Sequence, residues 1–269
     1  MIIIDRYSYD NRLRTVHPGE KFLFTVLAFV LCFAARSPVV PVVVLLVMFG
    51  LLVFGAGIPW QVLGRLMTVP ASFILLGGAT VVFSVTLNKS PSAMAWYVDL
   101  GGLVVGVTPS GFSAAVGLFS RSLGALGCLY FLSLTTPMVE IVWVLRRLRF
   151  PALILELVTL IYRFIFVLLA AAEAVHRAQD ARLGYSSLRI AYRSLASLVS
   201  MLFGKAYHYA QILYLAMLAR GYDGEIRVLD LRWSVSLRNI LAIALIITAI
   251  FLLALLTGGV GLVGVHSGG

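Results

Sequence analysis

Long uncharged runs constrain this chain more than any other feature. Residues 39–55 and 240–256 carry no charged side chain, and three further apolar stretches lie near 18–35, 67–87 and 111–134. A bilayer hydrocarbon core of about 30 Å takes roughly 20 helical residues, because each residue rises about 1.5 Å and every backbone polar group must be satisfied within the segment. These stretches predict about five transmembrane helices, the last over 239–256. The composition agrees, with 61% hydrophobic and 12% charged residues against about 45–50% and about 25% in soluble domains.

The net charge of +10 sits beside the apolar runs and forms no separate basic domain, which argues against nucleic acid as a partner and for positive-inside topology in a lipid bilayer. With a cytoplasmic N-terminus and five spans, Arg36 and Lys89 lie outside and Arg121 lies within a span. The other eighteen of the 21 Lys and Arg face the cytoplasm. Residues 152–174 are apolar enough to pass for a sixth span. A return crossing would have to carry Arg189, Arg193 and Lys205 through lipid, so this stretch reads as part of a long cytoplasmic helix.

The predicted fold is an all-α membrane protein: a four-span bundle over 1–134, a cytoplasmic domain of long amphipathic helices over 135–238, and a last transmembrane helix with its tail over 239–269. Residues 57–66 read as a short connector. Residues 88–110, rich in Asn, Pro, Ser and Gly, favour a short β-hairpin or a re-entrant loop in the external segment. The helices expected over 151–182 and 187–220 would be about 48 and 51 Å long, longer than a simple span needs.

Those two helices end alike. Ala181-Arg182-Leu183-Gly184 and Ala219-Arg220-Gly221 each put a cation in the last turn, where the helix dipole is negative, and a glycine where a left-handed cap is wanted. One use for such arginines is to cap their own helices. The other is to plug an acidic groove on a partner, since a guanidinium presents several donors and keeps its proton.

Arg121 interrupts the fourth span and needs a partner: backbone carbonyls, an acid such as Glu156, or another subunit. Glu156 and Arg163, seven residues apart, share one helix face. Arg121, Glu156 and Arg163 are therefore candidate subunit or bundle contacts.

No paired carboxylates, nucleophile and base set, or phosphate loop stands out, and the four histidines lack metal-ligand spacing. Cys32 and Cys128 lie in apolar segments and read as small packing residues. No catalytic, cofactor or metal residue is predicted.

Several stretches carry a family resemblance: Val16-His17-Pro18 with Lys21, Thr135-Thr136-Pro137 leading into RRLRFP, Tyr162-Arg163-Phe164, AQDARLGY at 178–185, and AMLARGYDGEIR at 216–227. With them the chain resembles the transmembrane T components (EcfT) of energy-coupling factor transporters, most closely the CbiQ-type subunit of cobalt and nickel importers. The resemblance implies a multi-pass protein of a prokaryotic cell membrane and no enzymatic activity of its own. It implies two ABC-type ATPase partners, which use ATP and Mg, and a separate substrate-binding membrane S component. It also implies that Ala181 and Arg182, and Ala219, Arg220 and Gly221, dock on the ATPases. Leu183 departs from the family pattern, which has glycine directly after the arginine. The competing expectations are a membrane-embedded enzyme acting on a phosphorylated lipid, a T component for a vitamin substrate, and a self-contained channel or transporter.

Overall fold

The computed structural model describes residues 3–86, 96–99, 104–107, 109–223 and 236–258. The chain divides into two compact units. One runs through residue 137 and resumes at Trp233, and the other is Met138–Arg232.

In the first unit, α1 (Ile3–Tyr9) and a 3-10 turn (Arg12–Thr15) precede α2 (Pro18–Ala34), which Pro18 opens at the first helical position. The His17 imidazole accepts the Gly19 N–H at 3.1 Å, satisfying one of the orphan donors of the first turn. After the tight exit at Arg36-Ser37-Pro38 comes α3 (Val39–Gly50), continued by a π-helical turn (Leu51–Gly55). α4 (Trp60–Val82) follows, then β1 (Phe83–Thr86), β2 (Trp96–Asp99), β3 (Val104–Val107), α5 (Pro109–Thr135) and, after residue 233, α9 (Leu237–Leu256).

α4 corrects the expected connector at 57–66: Pro59 directly precedes the first helical residue, Trp60, and Gly64 does not interrupt the helix. It also ends earlier than the expected 87, where the chain extends into β1. The strand-like reading of 88–110 is met in part by β2 and β3, which pair antiparallel from Trp96↔Val107 to Asp99↔Val104; β1 adds on the other side of β3. The rest of that stretch, Lys89 included, lies outside the described residues.

The core of this unit is the seam of α5 against α2 and α3, with Phe24, Ala28, Val44, Met48, Phe131 and Leu134 among its buried residues. Two glycines allow the close approach. A Cβ on Gly124 would stand 2.7 Å from the Cys32 sulfur and 2.8 Å from the Pro41 carbonyl oxygen, and one on Gly127 would stand 3.0 Å from Leu45. Small residues play this part between membrane helices, where close van der Waals packing supplies much of the association. The phenol of Tyr130 donates to the Leu66 carbonyl at 2.9 Å and ties α5 to α4.

α2 and α5 are cross-tied at two levels. Lys21, buried, donates to the Thr135 carbonyl at 3.0 Å, and Arg121 donates to the Ala35 carbonyl at 3.1 Å. The same sequence interval separates Lys21 from Ala35 as separates Arg121 from Thr135, so the two ties are rungs of one antiparallel pair. The Glu20 carboxylate accepts the N–H of Ser236, the residue that caps α9, at 3.2 Å. Its charge thus meets the positive ends of both α2 and α9.

Large apolar side chains such as Leu46, Phe54, Phe73 and Leu76 are exposed, as a surface solvated by lipid requires. α4, α5, α7 (Ala152–Asp180) and α9 are long and apolar enough to cross a membrane, while α2 has 17 residues and α3 with its π turn is a shorter apolar segment. Thus α7, which the sequence reading kept out of the membrane, meets the same length and composition as three of the expected spans. The chain is an all-α, multi-pass membrane protein.

The second unit holds α6 (Met138–Arg147), α7 and α8 (Leu188–Leu218). Pro151 caps α7, and the Ser187 hydroxyl caps α8 by accepting the Ile190 N–H at 3.4 Å. At 1.5 Å per residue α7 is about 44 Å long and α8 about 46 Å.

Candidate functional site: two arginine caps

The ends of α7 and α8 have the same backbone geometry. In the first, Leu183 N–H donates to the Asp180 carbonyl at 2.9 Å and Gly184 N–H reaches back to Gln179 at 2.9 Å. In the second, Gly221 N–H donates to Leu218 at 3.0 Å and Tyr222 N–H reaches back to Met217 at 3.1 Å. The bond of each set that reaches back five residues is the signature of a Schellman cap, which closes on a left-handed residue. Leu183 (φ 58°) and Gly221 (φ 75°) are those residues. Arg182 and Arg220 immediately precede them, each one residue past the capping alanines Ala181 and Ala219.

The glycine missing after Arg182 therefore leaves the cap geometry unchanged, because Leu183 takes the conformation glycine would have taken. A left-handed leucine is strained by about 1–2 kcal/mol, so the surroundings must hold it. They do so through Gly184, whose Cβ, were there one, would lie 2.8 Å from the Gln179 carbonyl oxygen and 2.9 Å from the Ser194 hydroxyl. The Ser194 hydroxyl donates to the Gly184 carbonyl at 2.8 Å, and the Gln179 amide donates to the Ser194 carbonyl at 3.0 Å. The Tyr185 phenol donates to the Gln179 side-chain oxygen at 2.8 Å, and its ring meets His176 edge-on. The α7 cap is thereby locked to the first turns of α8.

The α8 cap is locked to the first turns of α7. Tyr222 donates its phenol proton to the buried Glu156 carboxylate at 3.0 Å, and this bond holds the phenol pKa above its ordinary value. α7 and α8 thus run antiparallel, each tied to the other at the turn that carries an arginine. Ala181, Arg182, Ala219, Arg220 and Gly221 are all exposed, and the two arginines stand at opposite ends of the helix pair.

Among the other predicted site residues, Glu156 is buried against Tyr222, and Arg163 is exposed one face-repeat further along α7. Arg121 belongs to the other unit, and its observed partner is the Ala35 carbonyl, the backbone alternative among those expected. Residues 224–227 of the AMLARGYDGEIR stretch lie outside the described residues. Sequence reasoning missed Tyr222, Gln179 and Ser194. The first directly follows an arginine turn and was open to notice, whereas the other two act through contacts that only the pairing of α7 with α8 creates. Among the described residues no group of three or more His, Cys, Asp or Glu is placed to hold a metal.

A protein of Salmonella typhimurium named cobalt transport protein CbiQ is 33% identical over 222 residues, covering 82% of this chain and 97% of that protein. The energy-coupling factor transporter transmembrane protein EcfT of Streptococcus equi is 28% identical over 94% of this chain and 96% of its own length. A putative fused cobalt transport protein, CbiMQ, of Methanocorpusculum labreanum is 29% identical over 93% of this chain, which spans 41% of that longer protein. The sequence profile of the CbiQ family, described as cobalt transport protein, matches residues 10–229. With both arginine turns inside the matched region, the chain belongs to the CbiQ family of transporter membrane components.

Proposed function

We propose that this chain is the energy-coupling membrane subunit of an importer for cobalt or nickel ions, and that Arg182 and Arg220 are its docking posts for two ATPase subunits. The observation that carries the proposal is the pair of matching caps. A single exposed arginine at a helix end serves its own dipole. Two in the same backbone setting, at opposite ends of an α8 about 46 Å long, are spaced for two separate partners.

The ties at Gln179–Ser194 and Tyr222–Glu156 make the α7 and α8 pair a stiff lever. Movement of an ATPase, driven by binding and hydrolysis of ATP with Mg, would be passed to a helix and not absorbed in a loop. The ion would be held by a separate membrane subunit, a division of labour supported by the fused relative, in which a segment like this chain is joined to further sequence.

The test is recruitment. Co-expressed with its ATPases, the R182E/R220E double variant should lose their co-purification while keeping its helical content and membrane insertion. Recruitment and transport at normal levels by that variant would refute the docking role.

A further inference from the structure

A third helix in the same unit ends in the same cap. Phe150 N–H reaches back to the Leu145 carbonyl at 3.2 Å, Arg149 N–H donates to Arg146 at 3.1 Å, and Arg149 occupies the left-handed position at φ 60°. The position that carries Arg182 and Arg220 in the other caps is here Leu148, so this turn lacks the proposed docking residue. What it presents is different. Arg146, Arg147 and Arg149 are exposed and interleaved with Leu148, Phe150 and Leu153, which are 57%, 50% and 67% exposed. No acidic residue occurs between Glu140 and Glu156, both of which are buried.

From this turn we infer a binding site for anionic phospholipid: the apolar tips enter the headgroup and acyl boundary, and the three guanidiniums hold phosphodiester groups around them. Three observations favour a bilayer over a protein partner. Cations and exposed apolar tips alternate at consecutive positions, the composition of interfacial anchors. The Arg147 guanidinium lies over the Trp143 ring at 5.3 Å, and tryptophan with arginine is characteristic of the interfacial belt. α6 begins three residues after α5, a helix able to cross the membrane, and is itself only ten residues long, so the turn at its end lies within a short stretch of chain from a span. The left-handed Arg149 is what turns the chain so that both kinds of side chain are exposed together, and strain of this kind is kept where a site needs it.

The full-length chain, purified from a mixture of phosphatidylglycerol and phosphatidylcholine, is weighed by native mass spectrometry. The wild type should retain phosphatidylglycerol preferentially. In R146Q/R147Q/R149Q that preference should fall tenfold or more, given about fivefold per cation near an anionic surface, whereas R189Q/R193Q/K205Q, with the same loss of charge, should keep it. Unchanged retention in the first variant, or equal loss in both, overturns the site. An environment-sensitive dye on Leu148→Cys keeps the inference testable should the arginine variant misfold. In bilayer discs its emission should shift to the blue with phosphatidylglycerol and not with phosphatidylcholine alone. A dye that remains in water in both, and becomes shielded only when ATPase subunits are added, makes the turn a protein contact and overturns the inference.

Discussion

Leu183 and Gly221 occupy the same left-handed position in two helix caps, each directly after an exposed arginine. The leucine carries strain that the glycine does not. Leu183→Gly should therefore stabilise the chain by about 1 kcal/mol and preserve the cap, while Gly221→Val should destabilise by about 1–2 kcal/mol. Thermal unfolding of the two variants in the same detergent checks both signs. A destabilising Leu183→Gly would mean that the leucine side chain makes a contact worth more than its strain.

Tyr222 links the second cap to Glu156, and its raised phenol pKa makes that link sensitive to alkali. The unfolded phenol titrates near 10, below the folded value. Between the two the native state holds the extra proton, so the contribution is complete below about pH 10 and is lost as pH rises through the folded pKa. The wild type should lose stability in that window more steeply than Tyr222→Phe. Unfolding curves recorded from pH 9 upward provide the comparison, and parallel curves would remove the bond from the account.

The rungs between α2 and α5 predict additive behaviour. Arg121→Leu leaves the Ala35 carbonyl without its guanidinium, at a cost of about 1–3 kcal/mol. Lys21→Met removes the other rung, about 21 Å away along α2. Sites that far apart should add to within about 0.5 kcal/mol, which a double-mutant cycle measures. Arg121→Leu should also leave ATPase recruitment intact, because its partner lies in the bundle.

Gly124 is the tightest point of the α5 seam, and an added methyl meets both the Cys32 sulfur and the Pro41 backbone. Gly124→Ala should destabilise by about 1–3 kcal/mol, the usual range for overpacking. Gly117, which has nothing near its absent Cβ, is the matched control and should accept alanine without loss.

The parts legible in the sequence were those governed by local chemistry. Apolar run length placed α5 and α9 within a few residues, Pro18, Pro137 and Pro151 marked helix starts, and the Ala-Arg turns marked the ends of α7 and α8. The start of α4 was misplaced because Gly57, Pro59 and Gly64 resemble a connector, and a helix beginning right after Pro59 looks the same from composition alone. Arg121 stood out as a charge in an apolar run, but its partner is a backbone carbonyl, which no residue type announces. The caps show the limit most clearly. The glycine rule names the left-handed residue at the α8 end, Gly221, but at the α7 end it points to Gly184, one residue past the left-handed Leu183, because the hold on Leu183 comes through Gly184, Gln179 and Ser194, residues brought together only when α8 packs back along α7.

The central claim is that Arg182 and Arg220 each enter a different ATPase subunit. A photoreactive amino acid placed at either position in the assembled complex tests it most directly. The account predicts covalent adducts with ATPase subunits from both positions, none from position 205, exposed midway along α8, as a control, and, with both positions labelled, one chain carrying two ATPase subunits. Absence of ATPase adducts from both positions, or adducts with lipid alone, would contradict it.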